Sequence, residues 1–181
     1  MPDTHSPLAL EDARWNSLTH RAGVGPNSEM DVARELGLLL DSPTDLERIR
    51  DLWPYLASEG STWDAAYAAL PYLVQILKLQ PPELRAELLS VVGIILTGAD
   101  ESSMPKYLLH AYLKAIDEVY LPLGESIPVL SKDDLPWVLA TISALRGNRE
   151  LAELLQEPGS LEATCEECEA EIYVEIPGLG N

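Results

Sequence analysis

Two cysteines have the most direct claim to chemistry in this chain. They stand in the run Cys165-Glu166-Glu167-Cys168. Two thiolates at this spacing can hold one metal ion from a single tight turn, and zinc is the ion that closed thiolate sites favour. Cys165 and Cys168 are therefore the candidate metal ligands, and zinc is the candidate cofactor. A closed zinc site needs four ligands, and the chain has no other cysteine. The histidines His5, His20 and His110 lack the spacing of a metal-binding pair. Nearby carboxylates or a second chain would have to complete the set. A redox role fits less well, because a reactive thiol needs a lowered pKa. Glu162, Glu166, Glu167, Glu169 and Glu171 crowd the pair and push in the opposite direction.

Other chemistry is thin. The chain has no G-x-G-x-x-G, no P-loop, no H-E-x-x-H and no G-x-S-x-G. His110, beside Lys106 and Lys114, reads as a partly exposed helical histidine. Asp133-Asp134 reads as capping charge at a helix start rather than an acid/base pair. No catalytic residues are assigned, and the expectation is a non-enzymatic protein.

Charge narrows the choice of partner. Thirty acids against twelve bases give a net charge of −18. That field repels phosphate backbones, so nucleic acid is not an expected partner. The densest basic group is Arg34, Arg48 and Arg50, but Glu35, Asp41, Asp45, Glu47 and Asp51 are interleaved with it. Acidity keeps a protein soluble, and it also steers association toward basic proteins. No apolar run reaches the roughly 18 residues of a membrane span. Met1 to Asp12 lacks a basic segment followed by an apolar run, so the cytoplasm is the expected location.

The elements that position these residues read as helices with regular punctuation. Ser6-Pro7 suits the start of a first helix carrying Leu8, Leu10, Ala13, Trp15 and Leu18. Arg21 to Pro26 reads as a loop, followed by a helix from about Asn27 to Leu40. Ser42-Pro43-Thr44-Asp45 predicts a cap for a helix with Leu46, Ile49, Leu52, Trp53 and Leu56 on one stripe, ended by Gly60. Ser61-Thr62-Trp63-Asp64 repeats the capping pattern before Ala65 to Leu79. That segment is apolar around much of its circumference and should be buried on several sides. Pro71 lies within it and should kink it. Pro81-Pro82 starts the next helix, which runs to Gly98 as a C′ residue. A further helix covers about Met104 to Tyr120, and Pro122, Gly124 and Pro128 make Leu121 to Leu130 a loop. Ser131-Lys132-Asp133-Asp134 caps a helix over Trp137 to Leu145. Gly147 ends it, and Asn148 caps a last one to Gln156. Trp53, Trp63 and Trp137 lie on apolar stripes and read as core.

Composition changes near Pro158. Residues 1–158 form the helical part, and residues 159–181 a small cysteine-containing appendage. There Ile172-Tyr173-Val174-Glu175-Ile176 predicts a short strand, in a hairpin with Leu161 to Thr164. A piece this small must pack on the helices or be tied by a metal.

About eight helices pair as four hairpins. Capped starts at Ser42 and Pro82 are 40 residues apart, and Ser131 follows 49 later. That spacing suits HEAT or armadillo units, though a plain bundle would satisfy it too. The segment Leu52-Trp53-Pro54-Tyr55-Leu56-Ala57-Ser58-Glu59-Gly60-Ser61-Thr62-Trp63-Asp64-Ala65-Ala66-Tyr67-Ala68-Ala69-Leu70-Pro71-Tyr72-Leu73-Val74 resembles a stretch of bacterial HEAT-like repeat proteins. In those, a helix ends at a Gly-Thr or Gly-Ser turn. An alanine-rich helix follows that carries Pro-(Phe/Tyr)-Leu-Val, with the proline inside it. The resemblance implies an all-α fold, an α-α superhelix of stacked antiparallel helix pairs. It carries no agreed biochemical activity. The tail from Cys165 to Val174 resembles half of a zinc-ribbon knuckle, with Glu169 where such knuckles usually have glycine.

The leading expectation is a non-enzymatic protein-protein interaction module that binds or neutralises a basic protein, as a toxin-immunity protein does. The alternatives are a metal-binding module or enzyme using Cys165 and Cys168, and a degenerate HEAT-like DNA-repair relative. The last needs a basic groove, which the net charge disfavours.

Overall fold

The polar and apolar periods fold as a mostly helical chain. The computed structural model describes residues 6–26, 30–58 and 60–156, and the backbone of strands at 160–164 and 171–175. The described residues form seven α-helices: α1 (Val32–Asp41), α2 (Leu46–Leu52), α3 (Asp64–Leu79), α4 (Ala86–Thr97), α5 (Lys106–Ser126), α6 (Leu135–Leu145) and α7 (Arg149–Gln156). Three antiparallel hairpins accompany them: β1 (Thr19–His20) with β2 (Gly23–Val24), β3 (Ala57–Ser58) with β4 (Ser61–Thr62), and β5 (Ser160–Thr164) with β6 (Glu171–Glu175).

The expected first helix does not form. Ala13–Ser17 is a single 3₁₀ turn, capped by the Asp12 side chain. The segment is held from outside itself instead. The Tyr72 hydroxyl donates to the Leu8 carbonyl at 2.7 Å, and Leu8, Trp15 and Leu18 are buried in the common core. Seven α-helices therefore replace the eight expected. Within the expected loop at Arg21–Pro26, Gly23 and Val24 form strand β2. Gly25 has φ +70°, and a Cβ there would sit 2.6 Å from the Asn16 carbonyl oxygen, so glycine is required on both counts.

Local capping sets several ends. The Asp31 side chain accepts from the Arg34 N–H at the start of α1. Asp45, rather than Ser42, caps α2 by accepting from the Arg48 N–H at 3.0 Å, because Pro43 and Thr44 form a turn first. Gly60 does not end a helix: it turns the β3–β4 hairpin at φ +73°. Helix α3 lacks the capping box expected from Ser61 and Thr62. Thr62 donates to the Ile95 carbonyl. Thr19, from strand β1, caps α3 by accepting from the Asp64 N–H at 3.1 Å. Pro71 lies inside α3 without ending it.

Helix α4 begins later than Pro82, after a 3₁₀ turn at Pro82–Leu84. Gly98 follows it with φ −83°, so the left-handed cap expected there is absent. Its role is clearance, since a Cβ would meet the Thr62 hydroxyl at 2.8 Å and the Gly60 carbonyl at 2.9 Å.

Helix α5 runs to Ser126 and absorbs half of the loop expected at Leu121–Leu130. Pro122 is buried inside it. A buried guanidinium, Arg85 Nη1, donates to the Pro122 carbonyl at 3.3 Å, and Ser126 Oγ donates to the same oxygen at 2.7 Å. A further 3₁₀ turn covers Ile127–Val129.

The end of α6 follows its local code. Gly147 has φ +76°. The Asn148 N–H donates to the Ser143 carbonyl and the Gly147 N–H to that of Ala144, each at 2.9 Å. This is the paired closure of a Schellman motif. Asn148 Oδ1 then accepts from the Leu151 N–H at the start of α7.

Up to α6, the main packing joins helices two apart in the chain. α3 lies between α1 and α5, α4 packs on α6, and α7 packs on α6 and α4. One continuous core results, centred on α3, whose Ala65 to Leu70 are all buried. Trp15 is buried, whereas Trp53, Trp63 and Trp137, expected in the core, are half-buried. Strands β5 and β6 pair Leu161 with Val174 and Ala163 with Ile172, matching the expected hairpin.

Candidate functional site: a charged cleft beside α2

A cleft of about 910 Å³ lies between the β1–β2 turn, α1 and α2. Arg21 and Ala22 of the turn form one wall, and Glu35 of α1 another. Glu47, Arg48, Arg50 and Asp51 of α2 supply the charged face, and Leu52, Pro54 and Tyr55 continue it. The turn is fixed to this face, because the Arg21 N–H donates to the Tyr55 carbonyl at 3.3 Å. The His20 ring packs edge-on against Tyr55, with centroids 6.1 Å apart.

Two of the three arginines of the cleft are already paired. Arg48 bridges α1 and the α2 cap. Its Nη1 pairs with Glu35, and its Nε with Asp45 at 3.2 Å. Arg50 makes a two-pronged pair with Glu87 of α4, Nε to Oε1 at 2.6 Å and Nη2 to Oε2 at 2.8 Å. Glu47 and Asp51 remain exposed on the cleft face, one helical turn apart. Such a pair of carboxylates suits recognition of cationic side chains. The cleft lining contains no serine, threonine, cysteine or histidine among the described residues.

The sequence-level candidates are scattered. Cys165 and Cys168 lie outside the described residues, as does His5. His20 is buried, and both its ring nitrogens are engaged. Nδ1 accepts from the Ala22 N–H at 3.1 Å, which leaves Nε2 to donate to the Gly25 carbonyl at 2.6 Å. His110 lies on the exposed side of α5. Asp134 stands at the N-cap position of α6 but makes no side-chain cap bond; its carboxylate accepts from the Ser131 hydroxyl at 2.6 Å, and Ser131 Oγ accepts from the Asp134 N–H at 3.1 Å. Among the described residues, no three His, Cys, Asp or Glu side chains gather as a metal site. No helix among the described residues is long and apolar enough to cross a membrane.

Of the basic group Arg34, Arg48 and Arg50, the last two line the cleft and Arg34 does not. Sequence reasoning missed Arg21 and Glu87. The glycine-containing turn marks Arg21 as a loop residue, but nothing local marks Glu87, which lies 37 positions from its partner Arg50. Compared with protein-family models, curated proteins and solved structures, the chain has no match.

Proposed function

We propose that this chain is a HEAT-like helical stack that binds a basic protein, and that it performs no catalysis. The observation that carries this reading is the cleft beside α2. Its arginines at 48 and 50 are consumed by Glu35, Asp45 and Glu87, while Glu47 and Asp51 face solvent. A lysine or arginine entering between Glu47 and Asp51 gains two carboxylate partners, neither of them in a direct ion pair with Arg48 or Arg50. The net charge of −18 raises the encounter rate with such a partner. The packing of helices two apart supports a stack, because that is how consecutive helix pairs share a core in repeat folds. Neutralising a cationic toxin, as an immunity protein does, is the sharpest form of this reading.

The test is capture of partners from a native-host extract on immobilised chain, eluted with a salt series. A basic protein should elute at moderate ionic strength. Its retention should fall about tenfold or more in Glu47→Gln/Asp51→Asn. A partner whose retention ignores both salt and these changes would sink the proposal.

A further inference from the structure

The exposed side of α5 carries apolar side chains that the core does not use. Leu113 and Tyr120 are exposed, Leu121 is 67% exposed, and Ile127 and Val129 in the following 3₁₀ turn are 50% exposed each. Leu113, Asp117, Leu121 and Glu125 recur every fourth residue, so they form one ridge along the helix. From Leu113 to Glu125 this ridge is about 18 Å long at 1.5 Å per residue.

Gly124 supplies an independent clue. It is exposed in the last turns of α5, yet its φ is not in the left-handed region, and a Cβ there meets nothing within 4 Å. Glycine destabilises a helix interior relative to alanine. At Gly93 close packing explains it, since a Cβ would lie 2.3 Å from Thr141 Oγ1. At Gly124 nothing among the described residues requires it. A helix approaching from outside would.

Charge selects the occupant. A second copy brings another −18 and is repelled, as is an anionic membrane. Asp117, Glu125 and Asp133 are exposed along the ridge and the turn after it. Glu125 already receives Arg85 at 2.6 Å, and Lys114 lies 3.7 Å from Glu118. Lys114, beside Leu113, and Lys132, next to Asp133, are exposed cations at the edges of this surface. A ridge that alternates leucine with carboxylate on an acidic protein matches a helix with one apolar and one cationic face.

We infer that the α5 ridge is the docking face for a cationic amphipathic helix of a protein partner, with Gly124 leaving room for its backbone. This rests on the reading of the chain as a binder of a basic protein, and adds a surface and a partner shape. The probe is a synthetic lysine/leucine amphipathic helix of about five turns, titrated into the intact chain near physiological salt. One peptide should bind per chain. Leu121→Ser/Ile127→Ser should weaken it about tenfold or more. Gly124→Leu should weaken it comparably while leaving the free chain folded and at least as heat-stable, because leucine is a better helix former and space is open there.

Peptide binding that survives all three substitutions but is lost in Glu47→Gln/Asp51→Asn overturns the ridge and leaves the basic-partner reading standing. Absence of peptide binding by the native chain also overturns the ridge, and the salt-series capture then judges the broader reading separately. Sedimentation as a dimer that Leu121→Ser/Ile127→Ser abolishes would assign the ridge to a second copy instead. A nitroxide on Cys165 in a Cys168→Ser chain that broadens the Leu121 methyl signals would assign it to the chain's own C-terminal segment. Either result overturns the proposal.

Discussion

Arg85 shows how one charged side chain organises a buried junction. It is 5% exposed, and its Nε donates to the Gln80 carbonyl at 2.9 Å where α3 ends. Its Nη1 reaches the Pro122 carbonyl and Glu125 of α5. A buried cation is tolerated when its donors find acceptors this completely. Arg85→Leu should therefore cost about 2–4 kcal/mol in urea unfolding, since the Gln80 carbonyl loses this donor, the Pro122 carbonyl keeps only Ser126, and Glu125 loses its partner. Glu125→Gln, at a half-exposed position, should cost less than about 1 kcal/mol. At the surface, the Arg14 side chain and then its backbone N–H hold the Asp12 carboxyl down at about 2. The folded-state value lies below the unfolded one, so this contribution is present above the ordinary 3.8 and is lost as pH falls through about 2. An NMR titration should place the Asp12 midpoint at about 2. Arg14→Ala, which keeps the backbone N–H, should return it most of the way toward 3.8.

Elements in this fold are completed by residues far from them in the chain. Thr19 caps α3, Thr62 reaches the Ile95 carbonyl of α4, and Thr141 of α6 donates to the Leu89 carbonyl of α4 at 2.9 Å. The last contact marks where α4 and α6 come closest, over Gly93. A Cβ at Gly93 would also lie 3.0 Å from the Thr141 Cα, so relief would require the two backbones to separate. Gly93→Ala should therefore destabilise the chain by about 1–3 kcal/mol in denaturant, despite alanine's higher helix propensity. A neutral or stabilising result would show that α4 and α6 are not in this contact.

Across the whole molecule, like charge works against compactness. At net −18 the folded chain repels itself, and unfolding relieves part of that repulsion. Surface pairs such as Lys78–Glu118, 2.5 Å apart, oppose this only weakly. Raising ionic strength from about 0.01 M to 0.15 M shortens the screening length from about 30 Å to 8 Å. The melting temperature should rise by several degrees over that range, read by calorimetry or circular dichroism. A falling melting temperature would mean that the ion pairs outweigh the net repulsion.

What the sequence determined by itself was whatever its neighbours within about four residues decide. The Gly147-Asn148 junction and the burial of Ala65 to Leu70 are of this kind, because a cap or an amphipathic stripe is set by residues one turn away. The charged character of the cleft was legible too, since Glu47, Arg48, Arg50 and Asp51 lie within five residues of one helix. The tertiary structure decided the rest. Leu8 to Leu18 had the apolar spacing of a helix, but Tyr72 and the core hold that stretch in another path. Pro122 reads locally as a breaker, yet Arg85, 37 residues away, and Ser126 satisfy its carbonyl within α5. The site itself exists only because Glu35 and Glu87 come to Arg48 and Arg50 from two other helices. Such pairings depend on which surfaces the core brings together, and a local pattern holds no record of that distance.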